Sequence, residues 1–195
     1  KSPDKHTHGK DHKHDTDTKM NEEQDPHVWL DPEYAKIEVA NIEAALINAD
    51  PSNKEYYQKN SARYQKELSK LHEEYVTELA NLSRRDIVTT HAAFQYLAKR
   101  YNLNQVPIMG LAPNAEPTPD KMKNVVLFCR EHAVTTIFFE TLVSPRVAKT
   151  IAGETGAKLL VLNPIAGLTE DDIKNNKNYL IIMRENLLNL KMALQ

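Results

Sequence analysis

Residues 87–94, Ile-Val-Thr-Thr-His-Ala-Ala-Phe, pass from a short apolar run into a helical segment that is predicted near residues 92–101. β-Branched side chains fill the run, which favours a buried strand. The same alternation continues along the chain, with strands predicted at 105–109, 136–139 and 158–162 and helices near 119–132, 145–155 and 175–190. Strands that alternate with helices predict a parallel sheet with right-handed crossovers.

A long amphipathic helix is predicted before this region, over residues 53–83. Its buried face is marked by side chains at steps of three and four: Tyr57, Ser61, Tyr64, Leu68, Leu71, Tyr75, Leu79 and Leu82. Ser52 and Glu55 have the spacing of a capping box, which would begin the helix. At 1.5 Å per residue such a helix spans roughly 40 Å. The predicted fold class is therefore α/β, with a long backbone helix followed by one lobe that contains a four-stranded parallel sheet flanked by helices.

Composition excludes several classes of protein. The chain of 195 residues has 25 basic and 27 acidic side chains, so no charge excess favours nucleic acid or an anionic membrane surface. Cys129 is its single cysteine, which excludes an intrachain disulfide and a cysteine-type zinc finger. The sequence has no phosphate-binding loop, dinucleotide fingerprint, serine-nucleophile elbow or zinc-protease helix motif. The lack of a catalytic signature favours a binding protein over an enzyme.

The histidines are distributed unlike those of a protein core, because half of the eight fall within the first 14 residues. His91 directly follows the first predicted strand, where ligand-contacting residues of parallel sheets lie. The small neighbours Ala92 and Ala93 leave room around its ring, which favours a metal ligand over a helix-terminal histidine. His27 alone is equally compatible with a structural role, and gains weight as the partner of His91. Imidazole is the commonest side-chain ligand of ions such as zinc, so Zn²⁺ is the first expectation.

Two further groups are candidate site residues. Glu140 follows the strand predicted at 136–139 and is a direct metal ligand, an acceptor that orients a histidine, or a loop hydrogen-bonding residue. Residues 1–25 have almost no apolar side chain and are predicted to form a disordered loop. The histidines of this loop are His6, His8, His12 and His14. They would bind zinc weakly and with little specificity, the alternatives being a solvated linker or a purification sequence.

Four segments, in this order, resemble the zinc- or manganese-specific solute-binding proteins of bacterial ABC transporters, the family cluster called A-I or 9. They are residues 27–32 (HVWLDP), 90–96 (THAAFQY), 138–145 (FFETLVSP) and 155–164 (TGAKLLVLNP). The resemblance runs from about residue 5 to the end of the chain. The acidic, histidine-rich segment resembles the loop found in zinc-type members of the family.

The resemblance implies two α/β lobes joined by one rigid long helix, with the metal in the cleft between them. The implied division is a loop at 1–25, the end of the first lobe at 26–52, the interlobe backbone helix at 53–83 and the C-terminal metal-binding lobe at 84–195. His27 and His91 would be ligands from the two lobes. Most of the N-terminal lobe, with a further histidine ligand, would be absent. The chain is therefore expected to be a C-terminal fragment that self-associates or pairs with the missing lobe.

The implied function is extracytoplasmic capture of Zn²⁺ and its delivery to an ABC permease, by a periplasmic protein or a cell-surface lipoprotein of a bacterium. Many relatives have Asp or Glu at the position that matches Ala166. Alanine provides no ligand, which favours zinc over manganese because manganese prefers oxygen ligands. The alternatives are Mn²⁺ uptake, a metal-dependent adhesin and, least favoured, a zinc hydrolase with His27, His91 and Glu140 around an activated water. No nucleic acid partner is expected.

Overall fold

A parallel β-sheet with helices on both faces forms the central part of the protein. The computed structural model describes residues 25–112 and 116–195, so the predicted histidine-rich loop lies, apart from Asp25, outside the described residues. The elements are α1 (Pro32–Ala49), α2 (Lys54–Leu79), β1 (Asp86–Thr89), α3 (Gln95–Arg100), β2 (Asn104–Pro107), α4 (Pro119–Glu131), β3 (Thr136–Phe139), α5 (Arg146–Thr155), β4 (Lys158–Val161), α6 (Glu170–Lys174) and α7 (Tyr179–Leu194). Short 3₁₀ helices precede α1 and α2, at Val28–Leu30 and Pro51–Asn53.

The four strands in the described part of the chain form one parallel sheet, in the order β2-β1-β3-β4. Val88 pairs with Ile137 across the two central strands. A helix lies between each strand and the next one along the chain, which is the connection that parallel neighbours require. The predicted α/β class with a four-stranded parallel sheet flanked by helices is therefore confirmed.

The two faces of the sheet are covered by different helices. Ile87 and Phe138 belong to a buried cluster that includes side chains of α2, α3 and α7. Val88 and Ile137, one position away on the same strands, belong to a second cluster with α4 and α5. Successive side chains of a strand lie on opposite faces, so both faces of this sheet are buried. This explains why its strands are continuous apolar runs rather than alternating ones.

The long helix α2 buries one face, mainly in its C-terminal half. Its buried side chains lie at the predicted spacing: Ser61, Leu68, Leu71, Tyr75 and Leu79. The hydroxyl of Tyr75 donates a hydrogen bond to the backbone carbonyl of Met183 on α7 at 2.7 Å. Burial raises the pKa of Tyr75 well above its ordinary value, so the hydroxyl remains a donor. None of the helices in the described residues combines the length and apolar character that crossing a membrane requires.

The turn between α1 and α2 differs from the sequence prediction. Ser52 and Glu55 do not form the capping box, because the Ser52 hydroxyl donates to Oδ1 of Asp50 at 2.5 Å. Asn53 and Tyr57 donate to the other oxygen of Asp50. These three hydrogen bonds lower the pKa of Asp50 to about 2, so the carboxylate stays ionised and organises the turn.

The final helix begins and ends later than the sequence predicts. α7 starts after Asn178, whose side chain accepts a hydrogen bond from the first turn. The predicted start at residue 175 falls instead in a turn where Asn176 has a φ of +52°. The short helix α6, which the pattern does not predict, precedes this turn. Thr169 and Asp172 form its capping box, a signal that the sequence does contain.

Replacing Tyr75 with phenylalanine is expected to lower the free energy of unfolding by about 1 kcal/mol, because it removes a buried hydrogen bond between α2 and α7. Thermal denaturation should then show a decrease in Tm of roughly 2–4 °C. Tyr56→Phe is the matched control, because Tyr56 lies on the same helix with 65% of its surface exposed. An unchanged Tm for Tyr75→Phe would contradict the stabilising role of this bond.

Candidate metal centre

Residues that follow three strands of the sheet line one cleft. His91 comes two residues after β1, Glu140 directly after β3 and Asn163 two residues after β4. The carboxyl ends of parallel strands meet at one edge of a sheet, which brings these residues together. The cleft has a volume of about 200 Å³, and His27 forms part of its wall from the segment before α1. The fold thus places together both histidines that the sequence analysis singled out.

A carboxylate holds the ring of His91 in one orientation. Nδ1 of His91 lies 2.5 Å from Oε1 of Glu140, and both side chains are almost completely buried. The hydroxyl of Thr90 donates to the same oxygen of Glu140. Since Nδ1 donates to a carboxylate, Nε2 keeps the lone pair that a metal ion would bind. Of the three roles considered for Glu140, this geometry matches the acceptor that orients a histidine.

The backbone of His91 is held as firmly as its ring. The hydroxyl of Thr89 donates to the carbonyl oxygen of His91 at 2.8 Å. Nε2 of Gln105 donates to the same carbonyl at 3.0 Å and to the Thr89 hydroxyl oxygen at 2.8 Å. The carbonyl oxygen of His91 thus accepts hydrogen bonds from two side chains, Thr89 and Gln105. The chain enters α3 at Gln95, three residues later than the predicted start near 92.

His27 has its own carboxylate partner, Asp25. Oδ1 of Asp25 accepts from Nδ1 of His27 at 2.7 Å and from the backbone N–H of His27 at 2.9 Å. The other oxygen of this carboxylate has no hydrogen-bond partner within the described part of the chain. Sequence reasoning missed Asp25. The available signal was an acidic residue two positions before a candidate ligand, because a side chain placed there reaches both the ring and the backbone.

The two imidazole rings lie beside each other, with centroids 5.3 Å apart and planes at 70°. Each ring uses Nδ1 for a carboxylate, so each has Nε2 left for a metal ion. We call His27 and His91 together the paired-imidazole site. Within residues 25–112 and 116–195, no three His, Cys, Asp or Glu side chains come together as a metal-binding group. A metal ion at this site would therefore need further ligands other than His, Cys, Asp or Glu side chains of these residues, such as water or groups beyond them.

Trp29 connects His27 to the loop after β4 and to α7. Its ring contacts the His27 ring edge-on, with centroids 5.3 Å apart. Its Nε1–H donates to the backbone carbonyl of Pro164, in the loop after β4, at 2.9 Å. Its own carbonyl accepts from the hydroxyl of Tyr179 at 2.7 Å. Sequence reasoning assigned Trp29 no such role, because these partners lie 135 and 150 positions away along the chain.

Ala166 lies at the edge of the cleft, and the two other histidines of the described residues, His72 and His132, lie away from it. Ala166 lines the cleft and offers no atom that binds a metal. Nδ1 of His72, a half-buried side chain of α2, lies 3.1 Å from the hydroxyl of Tyr101, which follows α3. His132 pairs with Asp86, at the opposite end of β1. The loop histidines lie outside the described residues: His6, His8, His12 and His14.

A parallel sheet with two carboxylate-oriented histidines in the cleft at its carboxyl edge has the geometry expected of a metal-binding α/β protein. The chain belongs to the ZnuA family, described as the periplasmic component A of the zinc-uptake complex, whose family model matches residues 1–193. The family is one of solute-binding transport proteins. This confirms the family that the four sequence motifs indicate.

Three relatives illustrate the similarity. The high-affinity zinc uptake system protein ZnuA of Bacillus subtilis is 44% identical over 170 residues, which are 87% of this chain and 53% of that protein. The laminin-binding protein of Streptococcus agalactiae, a bifunctional protein with adhesin and metal transporting activity, matches with a TM-score of 0.82 and 40% identity over 88% of this chain and 65% of the other. The Zn(II)-bound ZnuA-like domain of Streptococcus pneumoniae AdcA matches with a TM-score of 0.77 and 39% identity, over 90% of this chain and 66% of the other. The chain thus spans about half the length of the first protein and about two thirds of the two solved chains.

Replacing Glu140 with alanine is expected to weaken zinc binding about 10- to 100-fold, because His91 loses the acceptor that fixes its ring. Glu140→Gln keeps the shape and an acceptor oxygen but removes the charge, so its effect should be smaller. Calorimetric titration with Zn²⁺ measures both. Glu154→Ala is the control for the loss of a carboxylate, because that side chain is 66% exposed. Equal affinities for Glu140→Ala and Glu154→Ala would refute the orienting role.

Proposed function

We propose that this chain is the zinc-binding part of an extracytoplasmic protein that captures Zn²⁺ and delivers it to an ABC permease. The observation that carries the proposal is the paired-imidazole site, where two carboxylates hold two adjacent rings by Nδ1. Membership of the zinc-uptake family and the Zn(II)-bound AdcA relative support the choice of cargo. The periplasm, or the cell surface as a lipoprotein, is the location that this role requires.

Zinc fits the site better than manganese does. Imidazole nitrogen suits zinc, whereas manganese prefers carboxylate, carbonyl and water oxygen. Both carboxylates next to the paired-imidazole site, Asp25 and Glu140, already accept hydrogen bonds from the histidines. Ala166, on the cleft wall, adds no oxygen from its side chain. The nitrogen-rich donor set therefore supports Zn²⁺ as the cargo.

Binding is also a better proposal than hydrolysis. A zinc hydrolase needs a carboxylate or another base that is free to take a proton from the metal-bound water. Glu140 accepts from both Thr90 and His91, and Asp25 accepts from the ring and the backbone of His27. In each pair the bonded carboxylate oxygen lies at Nδ1, on the side of the ring away from the Nε2 that would bind the ion, so neither carboxylate is placed beside a metal-bound water. We therefore propose a transport protein without catalytic activity.

An accessory role is proposed for the loop histidines, which are His6, His8, His12 and His14. Imidazoles at several nearby positions of the sequence offer zinc interchangeable ligands, so binding there is proposed to be weak and of low specificity. Such a segment would raise the zinc concentration near the cleft, since a tethered ligand acts at a high effective concentration. The tightest binding is proposed to reside in the cleft.

We propose the division into an end of the first lobe (26–52), an interlobe backbone helix (53–83) and a C-terminal lobe (84–195). α1 and the N-terminal half of α2 form a hairpin with exposed apolar side chains. The exposed fractions are 58% for Ile42, 42% for Leu46, 65% for Tyr56 and 37% for Tyr64. A groove of about 400 Å³ runs among these residues. Apolar patches of this kind are interaction surfaces. We propose that residues of the first lobe, which the longer relatives contain, cover this groove.

Adhesion is a second candidate function, because the Streptococcus agalactiae relative combines adhesin and metal transporting activity. Binding of this chain to immobilised laminin would test it. Laminin binding that persists when His27 and His91 are both alanine would support an adhesive surface separate from the metal site. Absence of any laminin binding would leave zinc capture as the one proposed function.

Calorimetric titration with Zn²⁺ is expected to resolve one tight event and several weak ones in this chain. Changing His27 and His91 together to alanine should remove the tight event, because both nitrogen ligands of the cleft are lost. The matched control changes His72 and His132 to alanine, which removes two histidines outside the cleft. This control should leave the tight event in place.

A third variant, with alanine at all four loop histidines, should lose weak binding and keep the tight event. If the His27 and His91 double variant gives the same isotherm as the unchanged chain, the proposed zinc site is wrong. All binding would then belong to the loop.

The apolar hairpin surface is expected to cause self-association of this chain when its proposed covering lobe is absent. Light scattering should show an average mass that rises above 22.3 kDa with concentration. Changing Leu46 and Tyr56 to glutamate should restore a constant monomer mass, because charge on both sides of the groove opposes its burial. Leu188→Glu with Met192→Glu is the control, since these α7 side chains are 56% and 58% exposed. A constant monomer mass for the unchanged chain would contradict the proposal.

A further inference from the structure

We propose that Asn186, on α7, is a positioning residue for the paired-imidazole site, and that it acts on His27 through the loop after β4 and through Trp29. The inference rests on the zinc site proposed above. Its first step, however, concerns the geometry of the metal-free protein and is measured without zinc. Each link of the path is a hydrogen bond or a ring contact between described residues.

The first link is the hold that Asn186 has on the backbone of Asn163. Oδ1 of Asn186 accepts from the backbone N–H of Asn163 at 2.8 Å, and Nδ2 donates to the carbonyl oxygen of Asn163, also at 2.8 Å. Asn186 is only 1% exposed. A primary amide carries a donor and an acceptor on one carbon, which a hydroxyl or a carboxylate does not reproduce. The side chain therefore fixes both polar groups of one residue at the start of the loop.

The second link is a strained loop that depends on this hold. Ile165 has a φ of +56°, a conformation that is an outlier for a β-branched residue. Strain of this kind persists only where surrounding contacts impose it. Oδ1 of Asn163 accepts from the backbone N–H of Ile165 at 2.8 Å, so Asn163 passes the constraint onward. Without Asn186, the loop is expected to relax toward negative φ at Ile165.

The third link joins the loop to His27. Pro164 lies between Asn163 and Ile165, and its carbonyl accepts the Nε1–H of Trp29. A change of backbone conformation at Ile165 turns the neighbouring peptide groups, so this acceptor would move. Trp29 contacts the ring of His27, which belongs to the segment before α1 and not to the sheet. The position of the loop after β4 therefore determines the position of His27.

The two histidines therefore have separate supports. His91 is held by Glu140, directly after β3, and by Gln105 on β2. Thr90, directly after β1, donates to Glu140. Asn186 contacts none of these side chains through a hydrogen bond in the described residues. Loss of Asn186 should displace His27 relative to His91, and two ligands that no longer fit one ion bind it more weakly.

The experiment compares Asn186→Ala with Asn189→Ala. Asn189 is the same residue type on the same helix, and its Nδ2 donates to the carbonyl of Val161 at 2.9 Å, in the strand and not in the loop. Both variants lose an amide that holds the β4 region to α7. A purely structural role of Asn186 would therefore lower Tm in both and affect nothing else. Asn186→Asp is the second variant, because it keeps the size of the side chain and removes the donor to Asn163.

Two readouts separate positioning from stability. Trp29 is the single tryptophan of the chain, so the fluorescence of the metal-free protein reports on its indole alone. Asn186→Ala should change the emission maximum, because the indole N–H loses its acceptor, whereas Asn189→Ala should leave it unchanged. Zinc affinity, measured by calorimetry on the folded variants, should fall about tenfold or more for Asn186→Ala and by less than about twofold for Asn189→Ala.

Tyr179→Phe gives an independent test that does not disturb the buried amide. It removes the hydrogen bond to the Trp29 carbonyl and should also change the emission and weaken zinc binding. Unchanged emission and unchanged zinc affinity in Asn186→Asp and Tyr179→Phe would overturn the proposal. If instead the His27 and His91 double variant binds zinc normally, the zinc site itself fails. A change of Trp29 emission in the metal-free Asn186 variants would then still support the path from α7 to His27.

Discussion

Four parallel strands end at one edge of the sheet, and the candidate metal centre depends on that constraint. β1, β3 and β4 deliver His91, Glu140 and Asn163 to the same cleft, although these residues lie far apart along the chain. The strands keep this register because the side chains of each face pack into their own buried cluster, and a shift by one residue would exchange the side chains of the two clusters. The polar residues of the site are therefore placed by the apolar residues of the core.

Each histidine of the site is paired with a carboxylate, and the two pairs are built differently. Asp25 and His27 are two positions apart, so a tight local turn is enough to bring them together. His91 and Glu140 are 49 positions apart and meet because β1 and β3 are neighbours. A carboxylate on Nδ1 fixes the tautomer and makes Nε2 a stronger ligand. In the proposed zinc site both rings are therefore held with Nε2 left for a metal ion.

Residues that support the site lie well beyond the edge of the sheet. α7 packs on the same face as α2, where Tyr75 donates to the carbonyl of Met183. The same helix provides Asn186 to the loop after β4 and Tyr179 to the backbone of Trp29. Rigid placement of ligands through such outer contacts tunes metal affinity, because a productive site holds its groups within about 0.5 Å of the required geometry. The core and the proposed zinc site are thus parts of one connected structure.

The sequence by itself determined the α/β class, the four strands, the long helix and the family motifs, because periodicity and short motifs are local properties of the chain. It also singled out His27 and His91 as candidate ligands. It also indicated Glu140, without distinguishing among its roles. Only the tertiary structure decided that Glu140 orients His91, and that Asp25, Trp29 and Asn186 belong to the support of the site. The hydrogen bonds of Trp29 and Glu140 join residues far apart along the chain, and no local pattern contains them. The start of α7 after Asn178 was likewise decided by an N-cap and a left-handed turn, whereas apolar spacing predicts an earlier start.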